Sequence, residues 1–226
     1  MNLLQMNQWI RRQARETSTV TITDAEIVLY LNEAYEDVAA RTACIRRDIE
    51  TVLGAGTEEI ELPSYVTGVI RANIKNDNPL LSARVADLES ILGVGWRTDS
   101  GTIQYLVSLG PTTFRVVPKP AGTTILEFFS AIIPSAAGGS NPVTHLAVNA
   151  DEPKMPGAYH VALPYFAMRE ISTRDATTPE MQRRSAEYAG LYSASLEALK
   201  QSTATLEGGV ITLPIMRPAA PTGGGG

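Results

Sequence analysis

Residues 157–200 read GAYHVALPYFAMREISTRDATTPEMQRRSAEYAGLYSASLEALK, and this stretch decides the class of the fold. Its apolar residues recur every three or four positions in two blocks that are separated by a polar break. That spacing predicts two amphipathic helices, over 157–173 and 178–202. The second helix has a clear predicted start, because Thr178 is a favourable N-cap residue and Pro179 suits the first helical position.

The tail that follows these helices is apolar, but its prolines forbid another helix. A lone disordered tail would normally be more polar. We therefore expect residues 208–226 to be an extended C-terminal arm that docks on a partner protein. The apolar side chains expected to make this contact are Val210, Ile211, Leu213, Ile215 and Met216.

Two more helices are predicted at the start of the chain, over 2–16 and 23–42. The second opens with Thr23 and, three residues later, Glu26, which is the pattern of a capping box. Apolar residues at helical spacing form one side of this helix. The other side carries Glu33, Glu36 and Asp37. The simpler interpretation is that these carboxylates form a solvated face of the helix. The more specific interpretation is that they form an acidic lining.

Between the helices, residues 46–134 are expected to be a β-rich region, because several runs in it alternate apolar and polar positions; a short helix is predicted within it, over 82–92. Residues 48–52 and 58–62 flank a Gly-Ala-Gly turn and predict a hairpin. A meander of three strands is predicted over 102–107, 113–117 and 124–133.

Together these patterns predict an α+β fold that is a predominantly α-helical bundle with an inserted antiparallel β region and an extended C-terminal arm. With 226 residues, of which 44% are hydrophobic, residues 1–207 are expected to form a single domain.

Composition argues against several functions. The net charge is −5 and no segment is polybasic, so sequence-specific nucleic-acid binding is not expected. Cys44 is the only cysteine and is expected to be a small buried residue, while His145 and His160 lack partners at metal-ligand spacing. We see neither a signal peptide nor an apolar run of membrane-spanning length, and expect a product made in the cytoplasm.

The motifs of common active sites are missing from the sequence. It has no phosphate-binding glycine loop with a lysine, no Gly-x-Ser-x-Gly elbow and no Cys/His pair. We expect neither an enzyme nor a cofactor. Among the aromatic residues, Trp96 suits a core position, while Trp9, near the end of a short helix, is a possible interface residue.

Two stretches, in this order, resemble a known family. Residues 23–35 read TDAEIVLYLNEAY, and residues 114–129 read FRVVPKPAGTTILEFF, a strand–Pro-x-Pro-x-Gly–strand run that leads through a loop into the closing helices. Over residues 20–200 this order resembles the head-to-tail adaptor (connector) proteins of tailed bacteriophages.

The resemblance implies a structural virion protein at the head–tail interface. Such subunits form rings, usually of twelve copies, beneath the portal protein, extend the DNA channel and carry the tail nozzle or other tail proteins. The arm would reach the portal, and the carboxylates on the second helix would line a channel through which DNA passes. A neck stopper or tail-completion protein is the main alternative; a surface-binding module or an unrecognised enzyme is a more distant one.

Overall fold

The computed structural model describes residues 1–17, 22–77, 79–110, 112–135, 141–174 and 176–205. Its helices are α1 (Leu3–Thr17), α2 (Asp24–Thr42), α3 (Val85–Leu92), α4 (Ala162–Arg174) and α5 (Pro179–Thr205). Its strands are β1 (Arg46–Leu53), β2 (Glu59–Glu61), β3 (Val66–Ile74), β4 (Leu81–Ala83), β5 (Ser100–Gly101), β6 (Tyr105–Ser108), β7 (Thr113–Val117), β8 (Lys119–Pro120) and β9 (Thr124–Ile132). Short 3-10 turns lie at Val94–Arg97 and Gly157–Tyr159.

Local sequence signals set the starts of α2 and α5. The hydroxyl of Thr23 accepts a hydrogen bond from the amide of Glu26 at 3.2 Å, and the Glu26 carboxylate accepts one from the amide of Thr23 at 2.9 Å. This reciprocal pair is the predicted capping box. At α5, the hydroxyl of Thr178 accepts from the amide of Met181 at 3.3 Å, so the predicted N-cap is confirmed.

Within the described ranges, the strands form three sheets. Sheet 1 has the order β1-β9-β3 and is antiparallel, with β1 and β9 paired from Arg46↔Ala131 to Leu53↔Thr124. Sheet 2 has the order β2-β7-β6-β4, in which β4 runs parallel to β6. Sheet 3 is the short parallel pair β5-β8.

Two predicted strand pairings are wrong. Strands β1 and β2 do not form a hairpin, because β1 pairs with β9 in sheet 1 and β2 pairs with β7 in sheet 2. The meander is wrong in its last member: β6 and β7 pair, but β9 leaves for sheet 1. Alternation shows which residues are extended, whereas the choice of partner depends on contacts distant in sequence.

The predicted fold class also needs correction, although the mixed α+β class holds. The molecule is not a predominantly helical bundle with a β insert, because sheets 1 and 2 build the core together with the helices. In sheet 1, Leu126, Phe128 and Ile132 are fully buried in the same cluster as Ile27 and Leu31 of α2. The strands therefore supply a layer of the core.

Sheet 2 is covered on both faces. Phe114 of β7 points into the main core, with its ring centroid 6.2 Å from that of Phe128 in sheet 1. The opposite face is covered by a second, smaller cluster of buried residues, which comprises Leu88, Trp96, Val107 and Val117. This alternation along β7 gives sheet 2 a side that faces away from the main core.

Candidate functional site

Helices α4 and α5 form an antiparallel hairpin of two helices that differ in length. The hydroxyls of Thr173 and Ser185 lie 2.7 Å apart near the hairpin turn, and the hydroxyl of Tyr159 donates to the carbonyl of Ala198 at 3.3 Å near its other end. Helix α5 has 27 residues against 13 in α4, so it is about 40 Å long and its partner about 20 Å. The shorter helix cannot cover the longer one.

The two halves of α5 are buried to different extents. In the described helix, no side chain from Pro179 to Leu191 is buried, and Leu191 is 39% exposed. The second half buries one stripe at helical spacing, which consists of Tyr192, Leu196, Leu199 and Thr203. We call residues 179–191 the exposed half of α5.

An aromatic cluster joins three helices beside that exposed half. The ring of Trp9 on α1 meets Tyr165 on α4 edge-on at 5.8 Å and Tyr188 on α5 at 6.5 Å. Trp9 is partly buried against the main core. The side chain predicted as a possible interface residue therefore already packs within its own subunit, while part of it faces outward.

The carboxylates predicted on α2 lie in three different environments. Glu33 is exposed, on the same outer stripe of the helix as Leu29, which is 55% exposed. Glu36 contacts Nε2 of His145 at 2.5 Å. Asp37 accepts from the hydroxyl of Tyr192 at 2.6 Å and from Nε of Arg41 at 2.8 Å. One helix face brings them together, but only Glu33 lacks a contact of this kind in the described structure.

The contact between Tyr192 and Asp37 belongs to a larger cluster of side chains near the middle of α5. The guanidinium of Arg169 lies 4.2 Å from the ring centre of Phe166 and 5.7 Å from that of Tyr192. Burial and the hydrogen bond to Asp37 raise the pKa of Tyr192 well above its ordinary value. The hydroxyl therefore stays protonated and fixes α5 against α2.

Sequence analysis missed the residues that hold the loop before α4. The buried amide of Asn32 donates to the carbonyl of Leu146 at 3.0 Å and accepts from its amide at 2.8 Å. The hydroxyl of Tyr35 accepts from the amide of Lys154 at 2.5 Å. An asparagine in the apolar stripe of α2 was the available signal, since a buried amide needs partners.

Cys44 and His160 both pack within the fold of the subunit. Cys44 is half-buried against the core, and burial raises the pKa of its thiol. His160 is buried, with Nε2 3.0 Å from the carbonyl oxygen of Met155. Among the described residues, no group of His, Cys, Asp and Glu side chains is arranged to hold a metal ion. No described helix has both the length and the apolar character that crossing a bilayer requires.

The predicted arm residues Val210, Ile211, Leu213, Ile215 and Met216 lie outside the described residues. Their role therefore stays a prediction.

Comparison with protein families matches residues 1–213 to the family described as SU10 adaptor protein. Comparison with curated proteins gives no match. The match covers almost all of the 226 residues and confirms the resemblance drawn from residues 23–35 and 114–129. The chain belongs to the SU10 adaptor protein family, a family of phage head-to-tail adaptors.

Proposed function

We propose that this chain forms a ring, of twelve copies, that docks beneath the portal, extends the DNA channel and provides the attachment platform for the tail. Membership of an adaptor family makes it a structural phage protein that works with other head or tail proteins, and suggests a virion component. The ring, the portal contact and the channel are the further steps of the proposal.

The exposed half of α5 is the observation that carries this proposal. A helical segment of this length is marginal in water unless packing covers one of its faces. Residues 179–191 receive only partial cover from α1 and α4 within the subunit. A neighbouring copy in a ring would supply the remaining cover, and the exposed Leu191 is a natural centre for that contact.

The proposed assembly can be tested by mixing the purified chain with its portal protein. We expect the chain alone to be monomeric in native mass spectrometry, and to form a ring of twelve copies on the portal in negative-stain images. Leu191→Asp should prevent ring formation, because it would place a charge at the proposed contact, while leaving the circular dichroism spectrum unchanged. A stable small oligomer without the portal, or no association with it, would contradict the proposal.

The arm is the second element of the proposal, with residues 1–207 as a single domain and 208–226 as an extended segment that reaches the portal. Docking must offset the cost of ordering the arm. Each buried side chain such as Ile211 or Leu213 contributes roughly 1.5–3 kcal/mol, and repetition around a ring adds avidity. Deletion of residues 208–226 should leave a folded chain that no longer joins the portal. Normal attachment of the truncated chain to the portal would contradict the proposed role of the arm.

The acidic face of α2 is proposed to line the channel. The exposed Glu33, together with Glu36 and Asp37, would repel DNA phosphates at short range and let DNA slide. Neutralising all three should increase DNA retention by assembled rings. Glu33→Gln is the cleaner variant, since Glu36 and Asp37 also make contacts within the subunit. Unchanged DNA retention in both variants would contradict the proposed acidic lining.

A further inference from the structure

Strand β1 forms one edge of sheet 1, and its outer side is open. Its pairing with β9 is regular over all eight residues. The amide of Ile132 donates to the carbonyl of Ile45 just before β1, so the odd-numbered residues of β1 bond to β9. The backbone groups of Asp48, Glu50 and Val52 therefore point away from β9, and no strand within the described ranges pairs with them.

The other edges of sheets 1 and 2 are irregular or short. Strand β3 has two register shifts, and on its outer side the amide of Leu80 donates to the carbonyl of Ala72 at 2.8 Å. Strands β2 and β4 have only three residues each. A long regular edge accepts a further strand readily, and bulges or short edge strands are common ways to prevent this. Strand β1 uses neither.

The core is also incomplete beside β1. Ile49 lies opposite Phe128 of β9, so both side chains point to the core face of sheet 1. Phe128 is fully buried, whereas Ile49 is only partly buried. The charged side chains of Asp48 and Glu50 lie on the opposite face of the sheet. A strand added at β1 with apolar residues on the core side would cover Ile49.

Helix α5 ends next to the start of β1. The buried hydroxyl of Thr203 lies 3.5 Å from the carbonyl oxygen of Thr42, the last residue of α2, and β1 begins soon after at Arg46. Residues 206–209 could span roughly 16 Å from the end of α5. Four residues are an ordinary length for a connection from a helix to a strand. Residues 210–213 can therefore reach the open edge of β1 in the same subunit.

The sequence of residues 210–213 suits a strand. It reads Val-Ile-Thr-Leu, in which three of the four residues are β-branched. Pro214 follows, and because it lacks an N–H it favours the end of a strand. The family match extends to residue 213, so it includes this segment. The segment itself lies outside the described residues.

We propose that residues 210–213 form a fourth strand of sheet 1, alongside β1 of their own subunit. The strand runs parallel to β1, because α5 brings the chain to the first residue of β1. Its backbone bonds to the outward N–H and C=O groups of β1. Ile211 and Leu213 share one face of the strand and cover Ile49 at the margin of the core.

This pairing refines the proposed arm by fixing its base. The portal contact then belongs to the residues after Leu213, among them Ile215 and Met216. A fixed base lowers the ordering cost of docking, because fewer residues lose their freedom when the arm binds. Only this consequence rests on the proposed function. The pairing itself is tested on the free chain, so failure to bind a portal would not affect it.

Amide hydrogen exchange, measured by NMR on the full-length chain, tests the pairing. The test variant carries Ile211→Pro and Thr212→Pro, which removes one N–H from each side of the proposed strand. The control variant carries Ala219→Pro and Ala220→Pro, the same change outside the segment. Each chain is measured at two protein concentrations, so that pairing within a subunit can be distinguished from pairing between copies.

We expect the amides of Asp48, Glu50 and Val52 to exchange at least about tenfold more slowly in the unchanged chain and the control variant than in the test variant. The amides of Ile49 and Thr51, which bond to β9, should exchange equally in all three chains. Equal exchange of the outward amides in all three chains would overturn the proposal. Protection that increases with protein concentration would also overturn it, because the strand would then come from another copy.

Discussion

Tyr192 on α5 donates a hydrogen bond of 2.6 Å to the carboxylate of Asp37 on α2, 155 residues earlier in the chain. Asp37 also accepts from Arg41, while the Tyr192 ring meets Phe166 edge-on at 5.3 Å. One tyrosine thus connects the long closing helix to both α2 and α4. This contact fixes the buried half of α5 and so determines where its exposed half projects.

Replacing Tyr192 by phenylalanine removes the hydroxyl and keeps the ring contacts with Phe166 and Arg169. We expect a loss of about 1–2 kcal/mol in the free energy of unfolding, because a hydrogen bond to a charged group is lost while Asp37 keeps Arg41. Urea denaturation followed by circular dichroism measures this. Tyr159→Phe is the control, since its hydroxyl makes a longer, exposed bond of 3.3 Å to a backbone carbonyl. Equal losses in the two variants would contradict this view of the Tyr192 contact.

Tyr35 makes stability sensitive to alkaline pH. Burial raises the pKa of Tyr35 to about 12 from an ordinary value of 10.0, so the folded state favours the protonated hydroxyl. The resulting stabilisation is complete below pH 10 and is lost as the pH rises toward 12. At most it amounts to roughly 2–3 kcal/mol. Urea midpoints between pH 8 and 11.5 should fall less steeply for Tyr35→Phe than for the unchanged chain. Identical slopes would show that Tyr35 does not titrate in this way.

Glu26 gives the corresponding effect in acid. The backbone amide of Thr23, the Arg174 guanidinium and the Thr23 hydroxyl together lower the pKa of Glu26 to about 2 from 4.5. Its contribution is complete above pH 4.5 and is lost as the pH falls toward 2. The stability difference between the unchanged chain and Glu26→Gln should therefore shrink from pH 7 to pH 3 in urea titrations. Thr23→Ala should show part of the same convergence. A difference that does not vary with pH would contradict this assignment.

Much of the local structure could be predicted from the sequence, because its causes are local. Thr23 and Glu26 set the start of α2, and Thr178 sets the start of α5. In both cases the hydrogen bonds join residues only three positions apart in the sequence. The pairing of strands could not be predicted in this way. Strand β1 has a glycine-bearing turn and an extended neighbour directly after it, yet its partner β9 begins at Thr124. That choice depends on burying residues such as Phe128 against the helices.

In the candidate site, too, features with local causes could be predicted and features that depend on distant contacts could not. The carboxylates of α2 and the amphipathic character of the last helix could be seen as periodic patterns. The roles of Asp37 and Asn32 could not, because their partners Tyr192 and Leu146 lie more than a hundred residues away. Trp96 was expected to be a core residue, and its ring is buried. Only the structure shows that its indole N–H is buried without an acceptor among the described residues.

The central claim is that assembly covers the exposed half of α5, and hydroxyl-radical footprinting of Met181 and Leu191 tests it most directly. Oxidation of these side chains would be compared between the free chain and the chain assembled on the portal, with the buried Met168 as an internal control. We predict several-fold slower oxidation of Met181 and Leu191 after assembly, with Met168 protected in both states. Equal oxidation rates of Met181 and Leu191 in the free and assembled chains would contradict the claim.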